Sequence, residues 1–202
     1  MSDTILNEKE KNIIEAARKR FAHYGFSKVT MDEIAADVDM GKASLYYYFP
    51  TKESIFKLVI RQEQEELAGE IESIIEKKIT CSKKLVEYVE VRLKHFQKLV
   101  NLGTLSAHSF NDSKSVYKKL FMEFETKELT FLESIINEGV ESGEFKNDLD
   151  KNTASVLLHI LQGLRFRILK QHRDIELDEN VIKGLQNEMN SAIKIIINGI
   201  IK

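Results

Sequence analysis

One residue, Pro50, is the only proline in the chain, and the rarity of helix breakers is what most constrains the fold. Proline removes a backbone donor and stops helices, and interior glycine weakens them. One proline and nine glycines spread over 202 residues leave long helices as the default everywhere else. Hydrophobic residues make up 43% of the chain and charged residues 31%, which suits a globular body and not a disordered one. The expectation is an all-α protein of about nine helices.

The stretch leading into Pro50, from Thr30 to Lys52, is the most informative. Thr30 and Glu33 give Thr-x-x-Glu, a capping box that opens a helix with Ile34, Ala35 and Val38 on its buried side. Asp39, Met40 and Gly41 make a turn. A second short helix then runs from Lys42 to Phe49. Leu45 and Phe49 are four apart and face the core, which leaves Lys42, Ala43, Ser44, Tyr46 and Tyr47 outward. Tyr48 is placed on the core side. Two helices joined by a short glycine-containing turn are the plan of a DNA-binding helix-turn-helix.

The outward residues fit that chemistry. A recognition helix reads base edges near its N-terminus. Lys42 can donate to guanine O6 or N7 or to phosphate, Ser44 tolerates any base, and Ala43 is small enough to meet a thymine methyl. Tyr46 and Tyr47 offer hydroxyls to phosphate. Thr30 caps its helix, and a phosphate contact at the same place is the functional alternative to a cap alone.

Upstream, residues 8–24 read as a first helix, with Ile13, Ala17, Phe21 and Tyr24 at helical spacing. Asn7 with Glu10 resembles a capping pair, and Gly25 suits a left-handed C-cap. Arg18, Lys19 and Arg20 read as a solvated face. Charge gives the DNA reading no support by its sum. The net charge is −2, and the first 52 residues balance eight basic against eight acidic side chains. The placement of those charges has to carry the argument.

The residues from Val29 to Phe56 resemble the N-terminal domain of TetR-family transcriptional regulators. The likeness lies in Thr30-x-x-x-Ile34-Ala35, in Gly41-Lys42-Ala43-Ser44-Leu45-Tyr46-Tyr47-Tyr48-Phe49, and in Lys52-Glu53 with Phe56. Two positions depart from the family pattern: Asp39 stands where glycine is usual and Gly41 where serine is frequent. Aspartate tolerates left-handed geometry, and glycine is an acceptable N-cap. The resemblance implies DNA contacts from Thr30, Lys42, Ser44, Tyr46, Tyr47 and Lys52, with Ala43 beside them.

A fourth helix opens at Thr51 and Lys52 and carries one stripe through Ile55, Phe56, Val59, Glu63, Leu67, Ile71 and Ile74. Running to about Lys78, it would span roughly 40 Å at ~1.5 Å per residue. It would join head to body and leave Lys52 free to reach phosphate. Later helices follow from Leu85 to Val100, a short one over 102–110, then Tyr117 to Val140 with a stop at Ser142-Gly143. The eighth is capped by Asp150, and the ninth, after a connector from Arg173 to Leu177, is capped by Asp178. The segment from Glu138 to Asp150 resembles the family's junction before its eighth helix.

Sites of other kinds find little footing. The histidines at 23, 95, 108, 159 and 172 form no metal spacing, and neither a phosphate-binding glycine loop nor a nucleophile elbow is present. No enzyme activity, metal or cofactor is implied. Cys81 stands near a helix start, where a lowered pKa is conceivable, but a bystander thiol is the preferred reading. The body mixes polar with apolar residues, as ligand sites do. The candidates are His95, Phe96, His108, Phe110, Phe124, Gln162 and Phe166, with Arg165 adjacent. Ordinary core and surface is the plain alternative for each.

The working expectation is a helix-turn-helix DNA-binding domain over residues 1–52 and a ligand-binding and dimerisation domain over 53–202. The partners would be a palindromic double-stranded DNA operator and an unidentified small-molecule effector. A second copy would pack through the last two helices, where the Ile193–Ile201 segment is too apolar to leave wet. The protein would act as a ligand-responsive repressor, and a constitutive or architectural DNA binder is the alternative. No apolar run approaches the ~20 residues of a membrane span, and the N-terminus lacks signal-peptide character, so residence in the cytoplasm is expected.

Overall fold

The computed structural model describes residues 7–98, 115–171 and 179–202, and side-chain surroundings for all of these except 96–98, 115–121 and 169–171. Eight helices are present among them: α1 (Glu8–Tyr24), α2 (Met31–Asp37), α3 (Lys42–Tyr48), α4 (Lys52–Ile75), α5 (Cys81–Lys98), α6 (Ser115–Glu141), α7 (Thr153–Gln171) and α8 (Glu179–Ile200). The only β pairing among the described residues is an isolated bridge between Phe145 and Ile201. The fold is all-α. The short helix anticipated over 102–110, the 173–177 connector and the Asp178 cap lie outside the described residues.

The first compact unit runs through Gln64 and so takes in α1, α2, α3 and the first half of α4. Its helices begin where local chemistry says they should. Asn7 and Glu10 cap each other's backbone N–H groups at 3.0 and 2.8 Å. Gly25 ends α1 at φ +79°, a conformation that disfavours any Cβ. The core is Ile13, Ile14, Ala17 and Phe21 from α1, Ile34 and Ala35 from α2, Leu45 from α3, and Ile55, Phe56 and Val59 from α4. Phe21 and Phe56 meet edge-to-face with ring centroids 5.1 Å apart. Each fully buried side chain of this size contributes roughly 1.5–3 kcal/mol. Tyr24 departs from expectation. It is 53% exposed, with the Arg20 guanidinium 5.6 Å from its ring centroid.

The second unit begins at Glu65 and contains the rest of α4 with α5 to α8. Leu67, Ile71 and Ile74 of α4 pack with Leu85 and Val89 of α5, Leu132 and Ile135 of α6, Leu157 and Leu161 of α7, and Leu185, Met189 and Ile193 of α8 in one core. The turn after α6 ties this unit together. Gly143 sits at φ +77°. Phe145 folds back onto Gly139 and is fully buried. The Glu144 carboxylate accepts the Cys81 and Ser82 N–H groups at 2.7 and 2.9 Å, capping α5 from 62 residues away. Burial opposes ionisation of Glu144, but these N–H donors prevail and hold its carboxyl below the usual range. Lys146 N donates to Ile200 O, and Lys202 N to Glu144 O, at 2.8 and 3.1 Å.

Burial pushes the Cys81 thiol up to about 11, with Glu138 and Glu144 adding to the effect. That is the opposite of activation, and the cysteine is a small buried hydrophobe.

Candidate nucleic-acid interface

The turn between α2 and α3 is built from the last turn of α2. Met40 N donates to Ala35 O at 2.9 Å and Asp39 N to Ala36 O at 3.2 Å, the paired bonds of a Schellman motif. The motif requires a left-handed residue after the C-cap, and Asp39 supplies it at φ +52°. Gly41 then serves as the N-cap of α3 without any side-chain hydrogen bond. Thr30 and Glu33 form the anticipated capping box. Glu33 N donates to Thr30 Oγ1 at 3.3 Å, and Thr30 N donates back to Glu33 Oε2 at 2.7 Å. The Thr30 N–H and hydroxyl, both donating to this carboxylate, hold it below its ordinary range.

The seven-residue α3 is anchored on one side only. Leu45 is fully buried and the following Phe49 is 4% exposed. Lys42, Ala43, Ser44, Tyr46 and Tyr47 are all exposed, Tyr47 most of all at 85%. Tyr48 is half-buried and packs edge-to-face on Tyr47 at 5.4 Å. Two exposed tyrosines, a lysine and two small residues on one face form a surface that can donate and stack. Lys42 is not an unopposed cation, because its ammonium lies 2.8 Å from Asp32. That carboxylate raises the Lys42 pKa first by hydrogen bonding and then by charge. An approaching phosphate would compete with Asp32 for the same ammonium.

Lys52 is not free to reach outward, contrary to the sequence expectation. Its Nζ donates to Phe26 O at 2.8 Å and to Val29 O at 2.7 Å, and lies 4.4 Å from the Phe26 ring centroid. It clamps the α1–α2 connection to the start of α4. The reading of Arg18, Lys19 and Arg20 as one solvated face also needs correction. Arg18 lies 3.5 Å from the buried Glu63, and Arg20 holds Asp37 at 2.6 Å. Only Lys19, with its side chain 76% exposed, fits.

The candidate ligand residues of the second unit are scattered. His95 is buried on α5, with Nε2 3.0 Å from Glu70 Oε1 of α4. Gln162 of α7 donates to Glu125 of α6 at 3.2 Å. Phe124 is partly buried against the core, whereas Phe166 is 40% exposed and walls no interior. The side chains of Phe96, His108 and Phe110 lie outside the described residues. The structure does bring together a polar cluster that sequence reasoning missed. Arg92 of α5 donates to the Tyr88 hydroxyl at 2.9 Å and sits 3.2 Å from Glu128 of α6, and the Tyr88 hydroxyl donates to Glu128 at 3.1 Å. All three side chains are buried. The available signal was a charge in an apolar stripe: Leu85, Tyr88, Val89 and Arg92 share one helical face.

Comparison with known proteins agrees with this geometry. A family model described as "Bacterial regulatory proteins, tetR family" matches residues 13–59. A second, described as "YsiA-like protein, C-terminal region", matches residues 60–164, more than half of the chain. A solved transcriptional regulator from Cytophaga hutchinsonii is 39% identical, with a TM-score of 0.85, over 97% of this chain and all of that one. The fatty acid metabolism regulator protein of Bacillus subtilis is 25% identical over 203 residues, 95% of each chain. The structure of the Bacillus subtilis transcriptional regulator FadR in complex with stearoyl-CoA shares the fold, with a TM-score of 0.70 at 21% identity over 94% of this chain and 98% of that one. Between them the two family models span the helix-turn-helix and most of the second unit, and the chain belongs to the TetR family of transcriptional regulators.

Proposed function

We propose that the protein is a ligand-responsive repressor that binds a palindromic operator as a homodimer. Residues 1–52 engage DNA, and residues 53–202 bind effector and partner. The observation that carries the reading is the one-sided burial of α3. Leu45 and Phe49 fix the helix to the core, while Lys42, Ala43, Ser44, Tyr46 and Tyr47 stay exposed. In this reading α3 enters the major groove. Lys42, Ala43 and Ser44 meet base edges or phosphate, and Tyr46, Tyr47 and the exposed Thr30 meet the backbone.

Dimerisation through α7 and α8 is supported by aliphatic side chains left in water. Val156 and Ile160, one turn apart on α7, are 52% and 37% exposed, and Ile195 of α8 is 71% exposed. Most of the Ile193–Ile201 segment is used differently. Ile193 and Ile200 are buried in the chain's own core, and Ile196 and Ile197 pack against it. Two helices from each copy make a four-helix bundle with two-fold symmetry.

Two-fold symmetry sets the switch. Both recognition helices must fit grooves about one DNA turn apart, roughly 34–36 Å, or a multiple of it. An effector that binds more tightly to a state with α4 displaced breaks that spacing. A coupling of ~1–3 kcal/mol changes operator affinity about 5–150-fold. The relatives associated with fatty acid metabolism and with stearoyl-CoA make fatty acyl compounds the first effector class to test. Gel-shift titration on the operator is the direct assay. Tyr46→Ala and Lys42→Ala should each abolish sequence-specific binding at concentrations that shift the wild type. Unchanged binding by both variants would remove the contact assignment. Operator affinity unaltered by any acyl ligand that demonstrably binds would leave a constitutive binder.

A further inference from the structure

Two arginines of the second unit lie close enough to repel each other, and only one of them has an ion-pair partner among the described residues. Arg92 is 8% exposed and Glu128 1% exposed, and with Tyr88 they form a closed triad. Burial opposes the Arg92 charge, but Glu128 and Tyr88 more than offset it. Arg165 of α7 is the remaining cation. Its Nε is buried and has no hydrogen-bond partner among the described residues. Burial opposes its charge most and Arg92 adds to that opposition, while Glu128 and Tyr88 offset only part of it, lowering Arg165 to about 10. At neutral pH it is still protonated, since arginine does not shed its proton in proteins. The nearest α6 carboxylate not committed to the triad, Glu125, is engaged by Gln162 and lies 3.8 Å from His159.

A buried Nε without a partner among the described residues is costly unless an anion or water answers it. Nothing in a helical core needs such a group for packing, because Leu161 and Ile168, one turn to either side on the same face of α7, are buried aliphatics. The facing elements repeat the pattern. Leu132 of α6 lies one turn beyond Glu128, and Leu85 of α5 lies one turn before Val89. The local chemistry is a positive point set among aliphatic walls.

We propose that Arg165, backed by Arg92, receives the anionic group of an otherwise apolar effector, a carboxylate or phosphate seated among α5, α6 and α7. This deepens the ligand-responsive reading and rests on it. Guanidinium donors match carboxylate and phosphate oxygens in a planar fork, and the buried Nε of Arg165 has no partner among the described residues. When the anion enters, it satisfies Arg165 Nε and relieves the repulsion from Arg92. The Arg92–Glu128–Tyr88 triad is a positioning group that keeps Arg92 charged and fixed.

The test uses the full chain with three probes that share one tail: decanoate, methyl decanoate and decanoyl-CoA. Calorimetric titration of the wild type should show decanoate or decanoyl-CoA binding at least tenfold more tightly than the neutral ester. Preference for decanoate identifies a carboxylate, and preference for decanoyl-CoA alone a phosphate. Arg165→Met should erase the preference while retaining ester binding, and Arg165→Lys should restore part of it. Thermal melts without ligand supply a second readout that needs no probe. Removing an idle buried cation should raise the melting temperature of Arg165→Met above that of the wild type. A lowered melting temperature, or anionic probes that bind no better than the ester or equally well in both proteins, would overturn the assignment. Ligand binding with the predicted arginine dependence but no change in operator affinity would instead refute the regulatory reading and leave the anion site standing.

Discussion

Replacing Lys52 with methionine separates two roles that its sequence position leaves confounded. Methionine keeps most of the apolar stem and removes the ammonium. In the folded protein that ammonium makes two hydrogen bonds, to Phe26 O at 2.8 Å and Val29 O at 2.7 Å, and lies 4.4 Å from the Phe26 ring centroid. A hydrogen bond to a charged group is worth ~1.5–3 kcal/mol net, and a cation–π contact at an accessible site ~0.5–1 kcal/mol. Lys52 is only half-buried, so water can replace part of this. A loss of about 2 kcal/mol remains once the bonds are discounted by roughly half. With a urea slope of ~2 kcal/mol/M, the unfolding midpoint should fall by about 1 M. Urea melts followed by circular dichroism measure that shift, and operator binding across a salt series measures the alternative. A backbone-phosphate lysine should lower the salt slope by about one when removed and leave the melt unchanged. An unaltered midpoint together with a shallower salt slope would refute the clamp.

Three further outcomes follow from local geometry. Asp39→Gly relieves a left-handed residue and Gly41→Ser adds a cap where a new Cβ meets nothing within 4 Å, so each should stabilise the protein by ~0.5–1 kcal/mol in urea melts. Gly139→Ala drives a Cβ into the Phe145 ring, and this overpacking should cost ~1–3 kcal/mol, whereas Gly69→Ala in open space should stabilise by ~1 kcal/mol. The carboxyls of Asp37, Glu70 and Glu144 are held below their ordinary range in the fold. Their stabilisation is therefore complete above the unfolded value near ~4 and is lost as pH falls through the lower folded values. Melting temperatures recorded between pH 3 and 7 should be set by these groups only at the acid end, and Glu144→Gln should flatten that limb.

Sequence reasoning succeeded where the deciding interactions are short in range. The bounds of α1 coincide with the 8–24 periodicity, and both capping boxes close across three residues. The stripe from Ile55 to Ile74 is buried throughout, its charged member Glu63 included. Most of the failures are pairings between distant residues. Lys52 finds its carbonyls 23 and 26 residues away, and Arg18 finds Glu63 on another helix. Arg92 and Glu128 meet only because α5 and α6 pack. Such pairs leave no periodic trace, and a lysine beside a predicted recognition helix does not announce the backbone carbonyls it will meet. The outward face of α3 was legible because burial of Leu45 and Phe49 left the other residues no alternative.

The turn at 142–146 has a kinetic meaning beyond its bonds. Through Glu144 it reaches back 62 and 63 residues to the start of α5, and through Lys146 it reaches forward 53 residues to Gly199. Closing loops of that length costs entropy before any contact repays it, and domains with such contacts fold more slowly than local helical bundles. During synthesis, α5 to α7 can form and pack loosely, but the latch stays open until residues 199–202 have emerged. A nascent chain stalled before that point would present the α6–α7 corner without its last tether. Among the described residues, the core of the first unit draws on nothing beyond the first half of α4. The head would then be folded while the body still waits.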